Sequence, residues 1–228
     1  MSGIAKTYNH PKGMSVNYNP FSKEFSRSRK DMKWGEIEYF IQKIKEGSKK
    51  NIRILDIWCG NGRLLESLNP LSETISYTYL GIDGSEWMIQ EAQDIHPEKD
   101  FVIGNMEHLG EFPSLETYDY IFFIASFHHL NGKDSRIHTL ASCKKLLKPW
   151  GKIFLTNWNL IEQEKYTHSR TKIYADGSAD FSIKFWEYDR YYHGFTLESL
   201  QEIYESSGFS VEEHTISRTG RNISSIIT

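Results

Sequence analysis

Segment 53–65 constrains this 228-residue chain more than any other, and it reads RILDIWCGNGRLL. An apolar run ends in Asp56, passes through a turn that contains Gly60 and Gly62, and opens a predicted helix. This order is typical of the first strand, turn and helix of a nucleotide-binding α/β domain. A second apolar run, YTYLGID, ends in Asp83. An acidic side chain there can accept hydrogen bonds from both ribose hydroxyls, so the two runs predict a ligand that contains adenosine.

The glycines restrict which adenosine ligand fits this turn. A dinucleotide-binding turn has a third glycine three residues after the second, whereas residues 63–65 read RLL here. What remains resembles the D-x-G-x-G-x-G loop of class I S-adenosylmethionine (SAM) methyltransferases. The resemblance implies SAM as the cofactor, with contacts expected from Asp56, Trp58, Gly60, Gly62, Asp83, Gly84, Met88, Asn105, Met106 and Ala125.

Trp58 departs from that loop pattern, because it occupies the position of the first glycine. A residue with a bulky side chain does not adopt a positive φ cheaply. The position therefore has either ordinary strand dihedrals or a pocket that differs from the usual one.

Composition and charge set the class of protein. The chain is 39% hydrophobic and 25% charged, as expected for a soluble globular protein. No apolar run reaches the ~20 residues of a membrane helix, and the first residues lack a signal-peptide core, so we expect a cytoplasmic protein without a membrane partner. Cys59 and Cys143 lack metal-ligand spacing, and we expect no metal site.

The net charge of −3 does not favour a nucleic-acid binder that depends on bulk charge. Two local clusters of lysine and arginine, within residues 43–53 and 144–148, remain. Each is either a basic contact for a nucleic acid or a solvated helix end.

The remaining pattern predicts one α/β domain, residues 18–228, after a mobile arm formed by residues 1–17. Apolar strands alternate with helical segments, which indicates a parallel sheet with right-handed crossovers. Two β-rich runs, 211–217 and 223–228, are joined by a short loop that contains Gly220 and predict an antiparallel hairpin. A mostly parallel seven-stranded sheet that ends in a reversed pair resembles the Rossmann-like core of class I methyltransferases.

An insert rich in aromatic, arginine and histidine side chains spans residues 159–195. The dipeptide Asp176-Gly177 interrupts it and suggests a hairpin turn. Such side chains near the carboxyl ends of the strands suit a substrate lid. The alternative is an aromatic-rich subdomain that packs on the edge of the core.

Three further motifs narrow the family. Residues 18–41 contain a phenylalanine, a Ser-Arg pair and a tryptophan that opens a helix, namely Phe25, Ser28, Arg29 and Trp34. FHHL at 127–130 precedes a helix that ends in LLKPWG, and DRYYHGF follows at 189–195. Together these resemble the tRNA carboxymethyluridine methyltransferases, which modify the wobble uridine, with Trp150 in place of a glycine. The RYYH block is the most specific match.

That resemblance implies methyl esterification of a carboxymethyl group on tRNA, with a small zinc-binding activator as a second partner. A carboxylate is ionised at neutral pH, so the enzyme must position an oxygen rather than remove a proton. The expected catalytic residues are Arg29, His129, Arg190, Tyr191 and His193. Arg190 can bind a carboxylate bidentately. His129 either serves as general base for an N or O acceptor or braces the loop after it.

Two other functions remain open from the sequence. One is a small-molecule carboxyl or hydroxyl methyltransferase that keeps the lid and does not bind tRNA. The other is a degenerate SAM-binding protein in which Trp58 has reshaped the pocket and no transfer occurs.

Overall fold

A seven-stranded sheet forms the centre of the computed structural model, which describes residues 34–111, 116–185 and 188–228. Its strands are β1 (Asn51–Ile57), β2 (Ser76–Asp83), β3 (Asp100–Ile103), β4 (Tyr118–Ile124), β5 (Leu147–Trp158), β9 (Val211–Ile216) and β10 (Asn222–Ile227). They lie in the order β3-β2-β1-β4-β5-β10-β9. The first five are parallel, and β10 runs antiparallel to both neighbours. The predicted mostly parallel sheet with a C-terminal hairpin is confirmed.

Five helices accompany the sheet in the described part of the chain: α1 (Gly35–Glu46), α2 (Leu64–Leu68), α3 (Glu86–Ile95), α4 (Lys133–Leu146) and α5 (Leu197–Ser206). Helix α1 buries Ile37, Phe40, Ile41 and Ile44, which repeat at the spacing of one helix face. Phe40 stacks on Phe154 of β5 with ring centroids 4.8 Å apart, and this contact fixes α1 on one side of the sheet. No helix in these residues is long and apolar enough to cross a membrane.

The insert forms a second, three-stranded antiparallel sheet of β6 (Arg170–Ile173), β7 (Ala179–Phe185) and β8 (Tyr188–Gly194). The turn between β6 and β7 contains Gly177 at φ +79, a conformation that glycine adopts without strain. The expected hairpin is therefore present. Its movement as a lid stays a prediction, and the proposed arm, residues 1–17, lies outside the described residues.

The two lysine-rich segments meet at the amino end of β4. Lys49 and Lys148 both donate to the buried carboxylate of Asp119, at 2.5 and 2.6 Å. Arg53 forms an ion pair with Glu116, and Lys144 donates to the backbone carbonyl of Gly208. Several of these cations therefore neutralise groups of the fold itself.

Candidate active site

A cleft of about 870 Å³, including its open mouth, lies at the carboxyl ends of β1, β2, β4 and β5. This is the edge at which α/β sheets bind ligands. Nineteen residues line it: Trp34, Ile37, Asp56, Trp58, Cys59, Gly60, Asn61, Arg63, Leu64, Asp83, Met88, Ile124, Ala125, Ser126, His128, His129, Trp158, Arg190 and Tyr192. The start of α1, the turn after β1, the turn after β4 and strand β8 thus contribute to one site.

The turn after β1 brings its backbone to the cleft wall. Gly60 has φ +58, and a Cβ added to it would meet no atom within 4 Å, so the turn leaves room for a ligand. Gly62 has a different role. A Cβ there would lie about 3.0 Å from Phe101, so its absence permits close packing behind the cleft.

Trp58 has φ +63, and the alternative of ordinary strand dihedrals is therefore wrong. A left-handed conformation costs a non-glycine residue roughly 1–2 kcal/mol. Ala125, in the turn after β4, is also left-handed at φ +51. Both residues line the cleft, and the Trp58 indole lies 6.0 Å from the His129 imidazole, centroid to centroid. Such strain is typical of functional sites, where the surrounding packing holds it in place.

Asp83 joins the turns that follow β1 and β2. Its Oδ2 accepts the Gly60 N–H at 2.9 Å, and its Oδ1 accepts the Ser85 N–H at 2.8 Å. Burial raises the pKa of this carboxyl to about 6, and the backbone hydrogen bonds limit the rise. The Asp83 side chain thus holds the two turns together. It also lines the cleft, where we expect the ribose to bind.

Asp56 is also buried, and its Oδ2 accepts a hydrogen bond of 2.8 Å from the Tyr79 hydroxyl. Burial raises the pKa of Asp56 to about 7. Two carboxyl groups on one wall suit SAM, which carries a positive sulfonium and a positive ammonium group. The residues present therefore fit this cofactor.

The raised carboxyl pKa values predict an unusual pH dependence for the protein without SAM. A carboxyl whose pKa is higher in the folded than in the unfolded state stabilises the fold at low pH, and this contribution is lost as the pH rises through the folded pKa. Buried histidines with lowered pKa values, His129 and His193 among them, act in the opposite direction, so the contribution of Asp56 is isolated by comparison with a variant. Asp56→Asn should raise the free energy of unfolding relative to the wild type, by a difference that grows from about pH 4 to about pH 7 and reaches about 2 kcal/mol at pH 8. Urea unfolding across this range is the measurement, and a variant that follows the wild-type curve would contradict the prediction.

Arg190 of β8 and His129 of the turn after β4 lie close together in the cleft. Arg190 Nη2 lies 3.4 Å from His129 Nε2, and its guanidinium lies over the ring of Tyr192 at 5.2 Å. The Tyr192 ring stacks on Trp158, with centroids 5.1 Å apart and 14° between the planes. His129 Nδ1 lies 3.1 Å from the backbone carbonyl of Tyr191. Burial lowers the pKa of His129 well below its ordinary value, and the neighbouring His128 and Arg190 add to this effect.

Not every expected residue lies at the cleft. Successive side chains of a strand alternate between its faces, so Arg190 and Tyr192 of β8 face the cleft whereas Tyr191 and His193 point to the other side. Gly62, Gly84, Asn105 and Met106 do not line the cleft either. Asn105 Oδ1 instead accepts the Glu107 N–H, and Met106 packs in the core. Arg29 lies outside the described residues.

Several lining residues were missed by the sequence interpretation. Alternation along β8 would have paired Tyr192 with Arg190, and Trp158 could have been found as the last residue of β5. Arg63 follows the glycine turn and lies over the ring of Trp34, with 5.1 Å between guanidinium carbon and ring centroid. No signal in the sequence indicated that pairing. Within the same described residues, no group of three or more His, Cys, Asp or Glu side chains is placed to bind a metal.

The sheet order, the acidic strand ends and the cleft define an enzyme of the class I methyltransferase fold. A family model described as "Methyltransferase domain" matches residues 29–214. The chain therefore belongs to this methyltransferase family, and S-adenosylmethionine is its cofactor.

Two relatives and one solved structure are similar over most of the chain. A protein of Encephalitozoon cuniculi named as a methyltransferase is 28% identical over 202 residues, which cover 86% of this chain and 87% of the relative. The tRNA (carboxymethyluridine(34)-5-O)-methyltransferase of Schizosaccharomyces pombe is 26% identical over 226 residues, which cover 88% of this chain and 90% of the relative. A chain from the complex between the Haloferax volcanii Trm112 methyltransferase activator and a methyltransferase matches with a TM-score of 0.67 at 15% identity. That match covers 95% of this chain and 97% of the other.

Proposed function

We propose that this methyltransferase transfers the SAM methyl group to the carboxylate of a carboxymethyl group on the wobble uridine of tRNA. The name of the Schizosaccharomyces pombe relative, at 26% identity over nine-tenths of its length, supports this acceptor. So does the RYYH block, since its Arg190 lies in the cleft. We propose that the reaction takes place in the cytoplasm, as the sequence leads us to expect.

The contact between His129 and Arg190 is the observation that carries the choice of acceptor. A carbonyl oxygen only accepts and a guanidinium only donates, so the contacts of His129 require a proton on Nδ1 and a lone pair on Nε2. That lone pair faces Arg190, and the pKa of His129 is strongly lowered by burial. His129 is therefore a poor general base. A hydroxyl acceptor needs such a base, whereas a carboxylate is already ionised.

The chemistry then depends on positioning. When held by Asp56, Asp83 and the turn that contains Gly60, SAM would supply an electrophilic methyl group to an oxygen of the carboxylate, with its sulfur as the leaving group. Arg190 would hold the carboxylate through two parallel N–H groups, and His129 would keep the guanidinium in place. The Trp58 ring lies near His129 and the Tyr192 ring lies against the Arg190 guanidinium, so the two rings would limit the access of water to the contact. No proton has to be transferred.

Charge distribution supports an RNA acceptor. Residues 1–33 carry seven lysines and arginines against two carboxylates, whereas the rest of the chain carries twenty against twenty-eight. A basic segment beside a neutral or acidic domain supplies local attraction for phosphates. The likeness to a chain from the Haloferax volcanii complex supports a small activating protein as a further partner.

Mass spectrometry of nucleosides tests the acceptor. The protein and SAM are incubated with an anticodon stem-loop that carries 5-carboxymethyluridine at the wobble position, with and without a Trm112-type activator. We expect the methyl ester to form, and a stem-loop with unmodified uridine should give no product. Equal turnover of the free nucleoside would favour a small-molecule enzyme. SAM binding without any product, with the activator present, would favour a protein that has lost transferase activity.

A further inference from the structure

Arg136 connects the two segments that carry the acceptor-binding groups. It is 3% exposed and lies on α4, outside the cleft lining. Its Nε donates to the backbone carbonyl of Leu130 at 3.1 Å, and its Nη2 donates to the Tyr191 hydroxyl at 3.0 Å. Leu130 directly follows His129, and Tyr191 directly follows Arg190. The planar guanidinium of Arg136 therefore links the residue that follows His129 to the residue that follows Arg190.

Asp180 on β7 holds the same tyrosine from the opposite side. Its Oδ1 accepts from the Tyr191 hydroxyl at 2.8 Å and from His193 Nδ1 at 2.7 Å, and its Oδ2 accepts from the Tyr174 hydroxyl at 2.6 Å. Burial alone would raise the pKa of Asp180, but the hydrogen bonds from His193, Tyr174 and Tyr191 hold it below its ordinary value. Asp180 is therefore an anion near neutral pH.

His193 completes this cluster as a neutral partner. Burial, followed by the charge of Arg136, lowers the pKa of His193 to about 4, so the ring is uncharged at neutral pH and donates to Asp180 through Nδ1. Arg136 and Asp180 then carry opposite charges, and the Tyr191 hydroxyl bridges them. It donates to the carboxylate and accepts from the guanidinium.

We propose that Arg136, with Asp180 as its counter-charge across the Tyr191 hydroxyl, positions Arg190 and His129 for the acceptor. The proposal rests on the proposed function, since it assigns acceptor binding to Arg190. The physical basis is the alternation along β8: the side chain of Tyr191 fixes the strand from behind, its carbonyl orients His129, and Arg190 projects into the cleft. Misplacement of a catalytic group by about 1 Å can lower a rate by about 10²-fold.

Two matched substitutions test this role. Tyr191→Phe removes the bridging hydroxyl, while Tyr174→Phe removes another hydroxyl bound to the same carboxylate and keeps the aromatic ring that contacts His193 of β8. We expect Tyr191→Phe to lower kcat/KM for the carboxymethyluridine stem-loop by about 30- to 100-fold, with SAM affinity unchanged by calorimetry. Tyr174→Phe should stay within about threefold. If the Tyr191→Phe variant does not fold, Asp180→Asn takes its place in the test and should give the same pattern.

The ¹⁵N resonances of the His129 imidazole give a readout that does not depend on the acceptor. We expect the Nδ1-protonated form in the wild type and in Tyr174→Phe, and a mixture of tautomers in Tyr191→Phe. Wild-type rates and an unchanged His129 signal in a folded Tyr191→Phe variant would overturn the proposal. So would parallel loss of SAM affinity and melting temperature in both tyrosine variants. A wild-type enzyme inactive on the stem-loop would refute the proposed function, and the His129 signal would still decide the positioning role.

Discussion

Replacement of Arg190 with lysine is expected to lower kcat/KM for methyl transfer by about 10²- to 10³-fold, which corresponds to about 3 to 4 kcal/mol in the transition state. Lysine keeps the positive charge but lacks the planar fork that binds both oxygens of a carboxylate. It also loses the contacts with Tyr192 and His129 that orient the guanidinium. SAM affinity should change by no more than about twofold, because Arg190 lies on β8 of the second sheet, whereas the two carboxylates expected to hold SAM lie at the ends of β1 and β2. Steady-state kinetics and calorimetry on one preparation measure both quantities.

Arg170→Lys is the matched control for this prediction. Arg170 also belongs to the three-stranded sheet, and its guanidinium also lies near an aromatic ring, 5.8 Å from the centroid of Phe181. It donates to the backbone carbonyl of Ile161 and does not line the cleft. We expect the control to alter melting temperature without a specific loss of transfer. If Arg190→Lys lowers melting temperature, SAM affinity and transfer in parallel, Arg190 supports the fold and does not hold the acceptor.

The ligand-binding ends of β1 and β2 were predictable from sequence, because the acidic residues expected to bind the ligand are also the residues that end the apolar runs. Asp56 and Asp83 each close an apolar run, and parallel strands bring their carboxyl ends to one edge of a sheet. The reversed pair at the C-terminus was also predictable, since two β-rich runs joined by a short glycine-containing loop can pair with each other only in antiparallel order.

The faces of β8 were not predictable from composition alone. RYYH offers four polar or aromatic side chains, and the pairing of β8 with β7 decides which two face the cleft. Tyr191 and His193 proved to lie behind the strand, where they bind Asp180. Residue type alone groups Tyr191 and His193 with Arg190, whereas alternation along the strand separates them.

The conformation of Trp58 shows a second limit of sequence reasoning. Local preference disfavours a left-handed tryptophan, but the chain must turn sharply between β1 and α2 to leave Gly60 open to the cleft. The tertiary requirement prevails over the local cost of roughly 1–2 kcal/mol. The loop pattern has glycine at position 58, and this glycine correctly indicates a positive φ. The identity of Trp58 alone would indicate the opposite.

Asp83→Asn is expected to weaken SAM binding by about 2 to 3 kcal/mol, or roughly 30- to 150-fold, the range for hydrogen bonds to a charged group. Both carboxylate oxygens of Asp83 accept backbone N–H groups, so an amide places its NH₂ donor against one of them. The substitution also removes the charge that favours donation from ribose hydroxyls. Because ribose binding needs the ionised carboxylate, wild-type SAM affinity should fall as the pH drops below about 6, the raised pKa of this group.

Two controls distinguish an effect on ribose binding from an effect on protein stability: the ligand methylthioadenosine and the substitution Asp119→Asn. Methylthioadenosine keeps the adenosine part of SAM and lacks the amino acid, so Asp83→Asn should weaken it by the same factor. Asp119→Asn is the control, because Asp119 is equally buried and accepts the backbone N–H of Arg53 at 2.9 Å, but lies at the opposite end of the sheet. It should lower the melting temperature and leave both affinities unchanged. Unaltered binding of methylthioadenosine to the folded Asp83→Asn variant would show that Asp83 shapes the turn without contacting the ribose.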